Sequence, residues 1–162
     1  MAKRRSNRHP DTFRELVSGD WCIYCGLVAN SREHFPPASL TMRGLVLPCC
    51  LECNALAGTS NAADFSARAS MVKDKLKRKY RKFLTVPLWE SDELEEMGWI
   101  MKGEIRAWQE RRRIIQSRIA WNAENYLASI DKNNAFANLI AECGITIECE
   151  QKLTRNLEAW QE

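Results

Sequence analysis

The sequence has no long hydrophobic run. Nowhere do the about 18 consecutive apolar residues of a membrane-spanning helix occur, and no apolar core follows the basic start, so neither a span nor a secretory leader is expected. Internal repeats and low-complexity segments are also missing. With 45% hydrophobic and 28% charged residues the chain is neither disordered nor fibrous. Its 162 residues exclude a large multi-domain enzyme and suit one domain, or a small site-bearing domain with a helical extension. These features predict a cytoplasmic protein. Thiols stay reduced in that compartment, so the seven cysteines point to metal rather than disulfides.

The net charge of +3 hides an uneven distribution: residues 1–89 carry +8 and residues 90–162 carry −5. A first half that meets a polyanion, and a second half with another task, would account for it. Residues 1–10 read as a flexible basic arm. Residues 11–84 hold the cysteine pairs and end in a basic helix, and residues 85–162 form an α-helical region.

Local patterns predict the elements. Asp11 can cap a short helix through Phe13, Leu16 and Val17 that stops at Gly19. Two short strands are expected at Leu27–Ala29 and Leu45–Leu47. From about Ser60, the spacing of Phe65, Ala69, Val72, Leu76, Tyr80 and Phe83 predicts a helix ending near Leu84. Asp92 with Glu95 suggests a capping box before Gly98. Met101 to Ile130 continues in steps of four and three, giving a helix of about 48 Å if unbroken from Trp99 to Ile130, so either a kink near Gly103 or packing against a second chain is expected. Its apolar stripe of Ile105, Trp108, Ile115, Ile119 and Tyr126 needs a covering surface, either the last two helices folded back along it or the same helix of another subunit, and its length favours the second, a homodimer. After an Asn133-Asn134 turn, helices are expected through Leu139 and then through Leu153, Leu157 and Trp160.

Chemistry concentrates between residues 22 and 54. Cys22-Ile23-Tyr24-Cys25 and Cys50-Leu51-Glu52-Cys53 are two C-x-x-C pairs, and four thiolates from two such knuckles satisfy one tetrahedral zinc ion with no open position. Cys49 is a rival to Cys50, but only Cys50 gives the two-residue gap; Cys143 and Cys149 fall on helical patterns and read as core thiols. Arg68, Lys73, Lys75, Lys77, Arg78, Lys79, Arg81 and Lys82 stand against Asp74 alone. That density is expected to contact nucleic-acid phosphates, here DNA.

Between the pairs lies Arg32-Glu33-His34-Phe35-Pro36-Pro37, and Asn54 directly follows the last cysteine. This order of C-x-x-C, acid-His and C-x-x-C-N resembles the HNH, or ββα-metal (His-Me finger), nucleases, most closely their zinc-stabilised, endonuclease VII-like members. Residues 88–121 are also similar to phage HNH-like proteins. The resemblance implies a mainly α chain: a small zinc-stabilised ββα-metal (HNH) module followed by long α-helices. It implies that His34 is the general base and that Glu33 and Asn54 offer oxygens to one catalytic Mg2+ or Mn2+ ion, separate from the zinc. The family usually has Asp at the place of Glu33, and its middle Asn corresponds to Leu45 beside Gly44. No His or Lys follows Asn54 within four residues. Two functions are therefore open: a metal-dependent DNA endonuclease, or a non-catalytic zinc-finger protein that binds nucleic acid or a partner.

Overall fold

The computed structural model describes residues 14–37, 44–60 and 64–142. The basic arm, Cys143, Cys149 and the expected last helix lie outside the described residues. The described chain is mainly helical, with one small sheet of three strands: β1 (Arg14–Leu16), β2 (Ser31–Phe35) and β3 (Gly44–Cys49). β3 is central, parallel to β1 and antiparallel to β2. All six of its residues are buried, which suits the apolar run Leu45-Val46-Leu47.

Two strand expectations change. Asp11 and Phe13 of the expected first helix lie outside the described residues, and its remainder up to Leu16 is instead β1, whose Leu16 lies opposite Val46 and whose neighbour Val17 donates its N–H to the Val46 carbonyl at 3.0 Å. Partnership with β3 outweighs the local helical pattern. The strand expected at Leu27–Ala29 starts two residues after its end, at Ser31. The Leu27 carbonyl and the Ala29 N–H are already bonded to Cys22 and Asp20, closing the first cysteine turn, and only Val28 bridges to Trp21.

A short helix α1 (Leu51–Ala57) leaves β3 directly and packs on β2. Then α2 (Phe65–Lys79) is capped by Asp64, which accepts from the Ala67 N–H at 2.6 Å, and buries Phe65, Ala69, Val72 and Leu76 at helical spacing. The helix expected to run to Leu84 breaks at Tyr80, and α3 (Arg81–Leu84) follows. α4 (Ser91–Glu95) has its reciprocal cap at Glu90 and Glu93, two residues before the expected pair. α5 (Trp99–Ala120) is about 33 Å long. It runs unbroken through Gly103 and ends instead at Trp121-Asn122, where Asn122 caps α6 (Ala123–Ile130). Asn134, at φ 52°, makes the expected turn into α7 (Ala135–Glu142).

The core is continuous from the sheet to α7. Phe35, Leu45 and Leu47 share it with Phe65, Val72, Ala123, Leu127, Ala135 and Leu139, so residues beyond 84 complete the same core as the cysteine-bearing part. Part of the expected stripe on α5 is covered within the chain: Ile115 is buried and Trp108 packs on Phe83 with ring centroids 5.1 Å apart. Trp99, Ile100 and Met101 at its start are exposed. Among the described residues no helix is long and apolar enough to cross a membrane.

Candidate functional site

Cys22 and Cys25 lie on a turn closed by a hydrogen bond from the Gly26 N–H to the Cys22 carbonyl, 3.0 Å. Cys50 is the N-cap of α1, and its sulfur accepts from the Cys53 N–H at 3.4 Å, which brings Cys53 back toward the same point one turn later. The two turns face each other, and all four sulfurs lie within 4.8 Å of one another, buried. Cys25 and Cys50 are separated by 3.8 Å, Sγ to Sγ. A tetrahedron of Zn–S bonds of about 2.3 Å has edges of about 3.8 Å. The four buried thiols can therefore hold a metal ion such as zinc. Contacts led by Cys22 hold the Cys50 thiol well below its ordinary value and push those of Cys25 and Cys53 above theirs. A dication that replaces the shared protons resolves this competition. Cys49 lies 3.8 Å from Cys22 but outside the four-sulfur set.

Glu33 and His34 are neighbours on a strand and so point to opposite faces. Glu33 is buried; its Oε1 accepts from Arg68 Nε at 2.7 Å and Nη2 at 2.5 Å, with the Tyr24 hydroxyl at 3.4 Å. Burial pushes its carboxyl above the usual range although Arg68 and Tyr24 pull it down. His34 lies opposite Val46 on the half-buried face. Asn54 projects from α1 onto β2, where its Nδ2 donates to Ser31 Oγ at 2.9 Å and to the Arg32 carbonyl at 3.0 Å. Its nitrogen is thus committed to the strand, which leaves Oδ1 as its ligand atom. Leu45, at the place of the family's middle Asn, is buried between Glu15 and Phe35. The donor set for a catalytic Mg2+ or Mn2+ is incomplete as arranged, because the Glu33 carboxylate faces Arg68 on the far side of the strand from His34.

The basic set divides. Arg68 is 1% exposed and, besides Glu33, donates to the Gly58 and Ser60 carbonyls, so it belongs to the core rather than to a phosphate-facing surface. Periodicity explains the difference: Arg68 lies one position from Ala69 and four from Val72 on the inner face of α2. Lys75 reaches the Leu56 carbonyl at 2.6 Å, and Lys73 is half-buried. Lys77, Arg78, Lys79, Arg81 and Lys82 are exposed. Lys77 pairs with Asp74 at 3.3 Å and Lys79 with Glu52 at 2.5 Å.

Two residues unmarked by the sequence pattern stand beside the cysteines. Glu52, between Cys50 and Cys53, accepts from Lys79, from the Tyr80 hydroxyl at 2.6 Å and from Arg118 at 2.6 Å, joining α1 to α2 and α5. Burial works against the charge of Arg118, yet Glu52, and after it the Cys25 sulfur, hold its guanidinium above the ordinary value. Trp121 lies against Gly26, whose φ of +69° and close approach to the indole leave no room for a side chain. Comparison with known protein families, curated proteins and solved structures finds no match for this chain.

Proposed function

We propose that the chain is a metal-dependent HNH-type endonuclease that hydrolyses phosphodiester bonds in DNA with water activated by His34. The observation that carries this reading is the grip of Asn54 on β2: it ties the strand that bears His34 to the helix that follows the second cysteine pair. The cysteine turns precede β2 and join β3 to α1, so a bound zinc fixes both ends of that unit, which two short strands alone would not hold. His34 then takes the proton from water on the outer face of β2. A bound Mg2+ or Mn2+ would supply charge stabilisation at the scissile phosphate. Glu33, paired with Arg68, anchors the strand that carries the base. Lys77, Arg78, Arg81 and Lys82 hold the phosphate backbone, and two copies meet through Trp99, Ile100 and Met101 so that two sites reach two strands. The protein works in the cytoplasm.

The test is cleavage of duplex, branched and single-stranded DNA, and of RNA, with and without Mg2+ or Mn2+, by the native chain and by His34→Ala. Loss of the base lowers cleavage by about 100- to 10,000-fold while DNA binding persists. A specific observation favours a second reading: the inward, ion-paired Glu33 leaves the catalytic ion short of a carboxylate, as in a non-catalytic zinc-finger module that binds nucleic acid or a partner. That module binds with indifference to Mg2+ and Mn2+, and the native chain then cleaves nothing.

A further inference from the structure

Arg118 is a buried cation at the end of α5 with more positive charge around it than negative. It is 5% exposed, and its Nη2 donates to Glu52 Oε2 at 2.6 Å while its guanidinium lies 5.5 Å from the Tyr80 ring centre. Its Nε is buried and meets no acceptor among the described residues. Glu52 cannot balance it alone, because the other carboxylate oxygen already takes Lys79 at 2.5 Å and Tyr80 at 2.6 Å. One carboxylate therefore faces two cations. The cysteine centre is the neighbouring source of negative charge: four thiolates around one dication carry a net charge of −2, and Glu52, the carboxylate that Arg118 grips, stands between two of the four cysteines, Cys50 and Cys53. The same end of α5 is fixed to the first cysteine turn by a second contact, since the Trp121 ring lies so close to Gly26 that a Cβ there would be 2.4 Å from it.

We infer that Arg118 is the counter-ion of a four-thiolate metal centre, aimed at it by Glu52, and that it secures the end of α5 to the metal-loaded module. This rests on the cysteine centre holding zinc. Arg118 is a positioning residue for that centre: it stabilises the anionic, metal-bound sulfurs and adds little to four neutral thiols. Loss of the metal removes the negative charge and leaves Arg118 buried beside one shared carboxylate, so the junction between α5 and α6 loosens.

The experiment measures zinc affinity by competition with a chelator for the native chain, Arg118→Lys, Arg118→Met, Glu52→Gln and the Glu52→Gln/Arg118→Met double variant. Circular dichroism reports the fold, and Arg118→Gln serves as a second neutral variant if the methionine variant does not fold. Arg118→Met is expected to weaken zinc binding about 10- to 100-fold, and Arg118→Lys to restore most of it. The loss persists in the Glu52→Gln background, because the partner of Arg118 is the metal centre. In cobalt-loaded protein the thiolate-to-cobalt charge-transfer band shifts in Arg118→Met, a change that lost packing alone would not produce. Unchanged affinity and an unchanged band overturn the inference, as does a loss that vanishes once Glu52 is neutral. A native chain that binds neither zinc nor cobalt overturns the metal centre itself along with it.

Discussion

Replacing Arg68 by Ala separates a core role from a phosphate-binding one. The side chain makes four hydrogen bonds: two to Glu33 Oε1, at 2.7 and 2.5 Å, and one each to the Ser60 carbonyl at 2.7 Å and the Gly58 carbonyl at 2.8 Å. Its removal leaves the Glu33 carboxylate, 2% exposed, with only the distant Tyr24 hydroxyl among these partners. Breaking a buried ion pair from one side costs about 3–5 kcal/mol, whereas replacing both partners by apolar residues is often close to neutral. Arg68→Ala should lose that amount in urea unfolding, and the Arg68→Met/Glu33→Met double variant should regain most of it. The pH dependence has a definite sign. Burial already raises the Glu33 carboxyl above its ordinary 4.5, and losing Arg68 raises it further. A carboxyl raised in the folded state favours folding below 4.5, and that stabilisation is lost as the pH rises through its folded value. Arg68→Ala should therefore be worse, relative to the native chain, near neutrality than in mild acid. A loss below about 1 kcal/mol, joined to a shallower salt dependence of DNA binding, would refute the buried pair and return Arg68 to the surface.

Glu52 gives the opposite pH behaviour. Burial pushes its carboxyl up, but Lys79, Tyr80 and Arg118 outweigh burial and hold it below 4.5, so its contribution is present above that pH and lost as the pH falls. Glu52→Gln should cost about 1–3 kcal/mol at neutral pH and flatten the acid limb of the stability profile; a limb as steep as the native one would count against the three-donor geometry. Gly26→Ala should lower the melting temperature, with at least about 1–2 kcal/mol lost to backbone strain alone. Gly103→Ala, where a Cβ meets nothing within 4 Å, should raise stability by about 0.4–1 kcal/mol. Equal effects at the two glycines would remove the Trp121 contact. Changing Lys77, Arg78, Arg81 and Lys82 together to Gln should reduce the logarithmic salt slope of duplex binding by up to about 0.9 for each side chain on a phosphate, and an unchanged slope would assign the run to solvent.

The cysteine centre was legible because C-x-x-C spacing fixes which sulfurs can converge whatever the surrounding fold, and this also separated Cys50 from Cys49. The inner face of α2 was legible from periodicity, yet the same periodicity should have withdrawn Arg68 from the basic surface: charge was counted without asking which face it occupied. Adjacent Glu33 and His34 could not share a face once both lay in a strand. β1 was hidden because a three-residue parallel strand is defined by its neighbour, β3, and not by its own pattern. The break after Ala120 had a local signal, the cap from Asn122 to the Asn125 N–H, but it lay inside an apolar repeat that continued across it. Arg118 carried only an ambiguous signal, its place three residues after Ile115 on the inner face of α5, because Arg111, four residues before Ile115, shares that face. It belongs to an arginine-rich helix, and only tertiary packing distinguishes it from Arg111 or Arg113, which are exposed.

The most direct test of the account is X-ray absorption at the zinc edge on the native chain purified without added metal. Four buried sulfurs within 4.8 Å of one another predict one zinc per chain, surrounded by four sulfur atoms at about 2.3 Å and by no nitrogen or oxygen. Absence of zinc, or a shell in which oxygen or nitrogen replaces one of the four sulfurs, would contradict it.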